Sequence, residues 1–185
     1  MEYKLQTPCT AADLDALHAG DTVLLSGVVY TARDQAHKRM IEALDAGEKL
    51  PFDLAGSAIY YVGPTPERPG DVIGSAGPTT SGRMDAMSPR LLDLGNKVMI
   101  GKGKRDDAVK AAVVRNGAVY LAALGGAGAL MAKSVKSLEV IAWSDLGCEA
   151  VRRLEVQDMP LTVILDAHGG DLYQSGPAAY LASRT

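Results

Sequence analysis

Three times between Thr22 and Ala122, a short apolar run stops at a polar corner and residues at helical spacing take over beyond it. Residues 22–30 (TVLLSGVVY) lead into TARDQAHKR, after which Met40, Ile41 and Leu44 mark a helix over 34–46. Residues 57–62 and 71–76 read as strands on either side of GPTPERPG. The second runs through GPTTSGRMD into a helix that carries Leu91, Leu92 and Leu94 and stops at Gly95. Residues 97–100 enter GKGK, followed by a helix over 106–115 and a strand over 118–122. Before these units, Thr10 caps a short helix that turns Leu14 and Leu17 inward and ends at Gly20. After them come a tight LGGAG turn at 124–128, strands at 139–143, 151–156 and 161–166, and a last helix at 178–183. Alternation of this kind predicts a single α/β domain with a mixed sheet over residues 1–185.

Charge and cysteine count narrow the function. With 19 Lys+Arg against 22 Asp+Glu the formal charge is −3, so no global basic field draws in nucleic acid. The first ten residues lack the apolar run of a signal peptide, and no stretch reaches the roughly 18 apolar residues of a membrane span. Two cysteines, Cys9 and Cys148, are too few for a disulfide framework or a four-ligand metal site, and they read as small packing residues. The expectation is a soluble, cytoplasmic chain that binds no metal of its own. His18, His37 and His168 are far apart in sequence; His18 reads as a surface residue and His168 as a turn residue.

The corners carry the chemistry. GPTTSGRMD places two glycines, three hydroxyls and an arginine before a helix, a set that can cradle a carboxylate or phosphate. An ordinary capped turn, with Thr80 or Ser81 as cap and Arg83 solvated, explains the loop alone equally well. Repetition favours the cradle. Arg33, His37 and Lys38 sit at one corner, Thr79, Thr80 and Arg83 at the next, and Lys102 at the third; strand-end loops in α/β sheets tend to converge on ligands. Three cationic corners on an acidic chain point to a small dianion. A Walker A loop would need Lys and Ser/Thr where Arg83 and Met84 stand, and LGGAG lacks the full dinucleotide spacing.

In that order, TARDQAHKR, GPTTSGRMD and GKG resemble the β subunit, or C-terminal domain, of the iron-sulfur class I fumarases and L-tartrate dehydratases. FDLAGSAIYYVGPTP, WSDLGCEAV, EVQDMP and LDAHGGDLY extend the resemblance over nearly the whole chain. It implies a swivelling β/β/α domain paired with a cluster-bearing α subunit, whose cysteines hold a [4Fe-4S] cluster; none is bound by this chain alone. It also implies that Arg33, Thr80, Arg83 and Lys102 bind the dicarboxylate substrate, that Thr79 is the catalytic base, and that Asp34 and His37 orient Arg33. TTSGRMD favours fumarate hydration to L-malate, because the tartrate enzymes resemble TTSMRM with a bulky residue at position 82. The alternatives are an L-tartrate dehydratase β subunit and a stand-alone module that binds a small dianion. Isolated from its α subunit, the chain is expected to expose apolar docking surface and to self-associate.

Overall fold

The structure, a computed structural model, describes residues 1–184. One mixed sheet contains seven strands: β1 (Glu2–Gln6), β2 (Thr22–Thr31), β3 (Ala58–Tyr60), β4 (Val98–Gly101), β5 (Val119–Ala122), β6 (Val135–Ala142) and β7 (Val151–Leu165). Strands β1 to β5 pair in parallel in sequence order, and β7 runs antiparallel to β2, β5 and β6. The two long strands set the topology. They pair from Thr31 opposite Arg152 to Thr22 opposite Thr162, and each serves two shorter strands on its other edge. Along β2 these are β1 and then β3; along β7 they are β6 and then β5. The circuit β2-β3-β4-β5-β7 therefore closes into a ring, with β1 and β6 outside it.

Among the described residues six α-helices complete the fold: α1 (Ala11–Leu14), α2 (Asp34–Asp45), α3 (Ser88–Asp93), α4 (Asp107–Asn116), α5 (Gly128–Lys133) and α6 (Leu172–Ala182). Side chains alternate between two cores. Ala58, Tyr60, Val98, Ile100, Val119 and Leu121 share a cluster with Leu25 of β2 and Leu154 of β7, which places that cluster in the ring lumen, with Leu14 and Leu17 packed into it. Ile59, Tyr61, Met99 and Tyr120 point the other way, against Met40 of α2, Leu91 and Leu92 of α3 and Val113 of α4. Strands buried on both faces are apolar throughout, so β3 to β5 read as continuous apolar runs. Each large aliphatic side chain fully buried contributes about 1.5–3 kcal/mol.

Several boundaries differ from the sequence expectation. Residues 71–76 are not a strand: Thr65 N–H donates to Ser75 O (3.1 Å), Ser75 N–H donates to Thr65 Oγ1 (2.8 Å), and the segment folds back on itself. A Cβ at Gly74 would stand 2.2 Å from Thr65 O, so glycine permits the fold-back. The pair expected at 151–156 and 161–166 is one 15-residue strand, continuous because a bulge absorbs Asp158 (φ 49°) while its N–H donates to Ser26 Oγ. The helix expected at 178–183 starts at Leu172, where Asp171 accepts from Tyr173 N–H as its cap. The segment after Thr80 divides into a 3-10 turn, Ser81–Met84, and α3 with Pro89 in its first turn. Thr10 caps α1 in a capping box with Asp13, as expected. Among the described residues no helix is long and apolar enough to cross a membrane.

Candidate functional site

Because β2, β3 and β4 are parallel neighbours, their C-terminal ends open on one side of the sheet, roughly 4.8 Å apart strand to strand. Arg33 follows β2 and Lys102 follows β4. The 79–80 segment reaches the gap between them from far along the chain. Thr79 N–H donates to Tyr61 O (2.8 Å), and Thr80 bridges Lys102 in parallel. Ser81 secures the bridge: its N–H donates to Lys102 O (2.9 Å), and its Oγ accepts from Lys102 N–H (3.0 Å) and Tyr120 Oη (2.9 Å). That approach depends on Gly101, where a Cβ would lie 2.0 Å from Ser81 Oγ.

The 3-10 turn then presents Arg83. Asp34 stands between the two arginines, its Oδ2 3.8 Å from Arg83 Nη1 and its Oδ1 3.8 Å from Arg33 Nε. Arg33 is also paired with Glu149, Nη2 to Oε1 at 3.2 Å, and its side chain is only 20% exposed against 54% for Arg83. Gly63 leaves room for Arg33 Nη1, which a Cβ there would approach to 2.9 Å. Arg33 Nε and Asp34 Oδ1 are buried without a hydrogen-bond partner among the described residues.

A buried polar layer supports the corner from below. Arg105 donates from Nε to Asp85 Oδ1 (2.6 Å) and from Nη2 to Ser88 Oγ (2.8 Å), and lies over the rings of Tyr61 and Tyr120 at 5.4 and 5.0 Å. Asp85 Oδ2 accepts from Asp106 N–H (2.7 Å), joining the turn to the start of α4. The His37 ring meets Tyr61 edge-on at 5.2 Å, and its Nδ1 lies 3.0 Å from Arg33 O. Burial pushes the His37 imidazole down to about 4, so it is neutral near pH 7 and Nδ1–H donates to that carbonyl.

The structure thus brings Arg33, Asp34 and Arg83 into one cluster and joins Thr80 to Lys102, with Thr79 anchored beside them. His37 reaches Arg33 through the backbone carbonyl rather than the guanidinium. Lys38 points along α2 to Glu42 (3.9 Å), apart from the cluster. Sequence reading missed Glu149, Asp85 and Arg105. Glu149 is 116 residues from Arg33, and only WSDLGCEAV marked its neighbourhood. A concavity of about 580 Å3 between residues 65–75 and α5 holds none of the site residues.

The cysteines do not form a cluster site. Cys9 is buried, with its thiol on Gln6 O (3.4 Å) and its pKa pushed by burial up to about 12. Cys148 is exposed, which corrects its expected packing role. No group of three or more His, Cys, Asp or Glu among the described residues could hold a metal. Among the described residues these donors do not form an iron-sulfur ligand set.

The family model described as Fumarase C-terminus matches residues 1–176. A putative L(+)-tartrate dehydratase subunit beta of Methanocaldococcus jannaschii is 43% identical over 180 residues, covering 94% of this chain and 92% of the relative. The aerobic class I fumarate hydratase of Escherichia coli is 38% identical over 165 residues, covering 88% of this chain but 30% of the relative. The L(+)-tartrate dehydratase subunit beta of Escherichia coli is 33% identical over 177 residues, covering 93% and 87%.

Proposed function

The chain belongs to the Fumarase C-terminus family, and from that premise we propose that it is the β subunit of a two-subunit hydro-lyase interconverting fumarate and L-malate. One observation carries the reading: Arg33 and Arg83 face a common carboxylate, Asp34, at the strand ends where Thr79, Thr80 and Lys102 also converge. A cluster-bearing α subunit supplies the rest of the site, and its [4Fe-4S] centre supplies Lewis-acid chemistry there. This chain's residues act at the other end of the substrate.

In the dehydration direction a proton leaves the carbon next to a carboxylate, and negative charge builds on that carboxylate. Cations fixed against it stabilise the transition state more than the ground state. Arg33, half caged and oriented, supplies the directional hydrogen bonds; Arg83 and Lys102, more exposed, complete the clamp from the neighbouring strand ends. Thr80 stands beside Lys102 for a further hydrogen bond to the substrate. Thr79 is the candidate base for that proton, its backbone N–H anchored on Tyr61 O and its hydroxyl making no hydrogen bond to the described residues.

Gly82 supports fumarate as the substrate. Its φ lies outside the left-handed region and the nearest contact of an added Cβ is 3.7 Å away, so the fold does not require glycine beside Arg83. A second reading, L-tartrate dehydration, is favoured by the 43% identical relative, whose name and length match a separate β chain. Anaerobic reconstitution with the α subunit, followed by assays of fumarate hydration and L-tartrate dehydration, tests both. Full activity from this chain alone overturns the subunit reading; a higher kcat/KM for L-tartrate selects the second. A stand-alone dianion module would instead bind malate tightly without a partner.

A further inference from the structure

Arg33 begins α2 as its N-cap residue but makes no capping hydrogen bond with its own side chain. Glu149 fills that role from the other end of the chain. Its Oε2 accepts from Gln35 N–H (3.0 Å), satisfying a free donor of the first turn, while its Oε1 lies 3.2 Å from Arg33 Nη2. One carboxylate, 16% exposed, therefore holds both the helix start and the guanidinium.

The segment that delivers Glu149 is braced on every side. Arg152 donates from Nη2 to Gly147 O (2.8 Å) and from Nη1 to Cys148 O (2.9 Å) and Ala150 O (3.0 Å). Arg39 of α2 forks onto Asp145 (2.9 and 2.6 Å) and lies 6.0 Å from the Trp143 ring. Trp143 and Gly147 both take positive φ, 52° and 59°, so the chain turns sharply enough to bring Glu149 back to α2. The Arg33 stem packs where Gly63 leaves room and Nε lies 3.8 Å from Asp34 Oδ1 without a hydrogen bond, so Glu149, at 3.2 Å, is the nearer of the two carboxylates that meet the guanidinium.

We propose that Glu149 is a positioning residue that holds the Arg33 guanidinium in the orientation that receives the substrate carboxylate. The proposal rests on the reading of Arg33 given above. Bidentate recognition of a carboxylate needs the guanidinium plane aligned, and misplacement by about 1 Å can cost a factor of about 100 in rate.

Two substitutions separate positioning from capping. Glu149→Gln keeps a carbonyl for Gln35 N–H but loses the charge paired with Arg33; Glu149→Ala loses both. In the isolated chain, nitrogen-15 relaxation of the Arg33 Nε–H group should show restricted motion in the parent and increased motion in both variants. Thermal midpoints should fall in Glu149→Ala and be largely restored in Glu149→Gln. In the assembled enzyme both variants should lose roughly tenfold to a hundredfold in kcat/KM, with KM raised and kcat lowered. Arg33 remaining restricted in Glu149→Gln, or kcat/KM recovering there together with stability, overturns the proposal and leaves Glu149 a helix cap. If Arg33 loosens but the assembled parent acts on neither fumarate, malate nor tartrate, the substrate reading fails while the positioning stands.

Discussion

The charged residues divide by whether the fold needs them. Arg105 is buried, and removing it leaves Asp85 with an unpaired carboxylate, a loss of the kind that costs about 3–5 kcal/mol. Arg83 is more than half exposed, and its one ion pair, to Asp34 at 3.8 Å, belongs to a class worth at most about 1 kcal/mol. The fold therefore gains little from Arg83, which leaves its guanidinium available for the ligand role proposed for it. Arg83→Ala should therefore leave the thermal midpoint nearly unchanged while lowering kcat/KM by roughly two to three powers of ten, about 3–4 kcal/mol in transition-state binding. Steady-state kinetics and a melting curve on the same preparation check this. A near-parental rate removes Arg83 from the clamp, and a large drop in midpoint makes it structural. Arg105→Met should show the reverse order, with loss of stability first and loss of activity as its consequence.

At the scale of elements, α2 carries the site at its start and a titrating weak point in its first turns. The His37 pKa falls from an ordinary value near 6.5 to about 4 because the ring is buried, with the nearby Arg105 charge lowering it further. Above pH 6.5 neither folded nor unfolded chain carries the proton, and the full stability is present. As pH falls below 6.5 the unfolded chain takes up the proton first, so stability drains until the folded pKa is passed. Between pH 7.5 and 5 this single group should cost about 2 kcal/mol. Urea midpoints across that range measure it; His37→Gln, which keeps a donor for the Arg33 carbonyl but does not titrate, should flatten most of the slope. An unchanged slope assigns the pH dependence elsewhere. His37 was legible in the sequence as part of a corner, but its buried, backbone-directed role was not, because burial depends on Tyr61 arriving from another strand. The same limit explains the other differences. Apolar runs that end in polar corners mark strand ends, so the positions of Arg33 after β2 and Lys102 after β4 could be read locally, whereas Thr79, Thr80 and Arg83 follow no strand and reach the corner through contacts with Tyr61 and Lys102. Residues 71–76 have strand-like composition and fold back because of contacts with Thr65, and β7 stays continuous because Ser26 supports its bulge. Glu149 meets Arg33 only after the ring has closed, and no local pattern carries that pairing.

Across the whole molecule, the site depends on the long β2–β7 pair. Its corner hangs from the ends of β2, β3 and β4, and the segment bearing Glu149 leads directly into β7, so both halves of the cation cluster are referred to one pair of strands. Each of those strands is flanked on both edges for most of its length, by β1 and β3 on one and by β6 and β5 on the other, whereas β1 and β6 each pair on one side only. Amides bonded on the interior of such a ring cannot open by fraying; they exchange with solvent only when the ring itself opens. Hydrogen exchange should therefore show the β2–β7 ladder as one block, with a common free energy equal to the global unfolding value and the same denaturant dependence. The free edge of β6 and residues 65–75 should exchange by small local openings that denaturant barely affects. Asp158 offers the decisive comparison, because its bulge divides β7 at the point where sequence alone predicts two strands. If amides before and after Asp158 open together, the strand is one mechanical unit and the Glu149 platform moves with the ring. If they open at separate free energies, the half next to Glu149 can shift relative to β2, and Arg33 is held by a movable part rather than a fixed one.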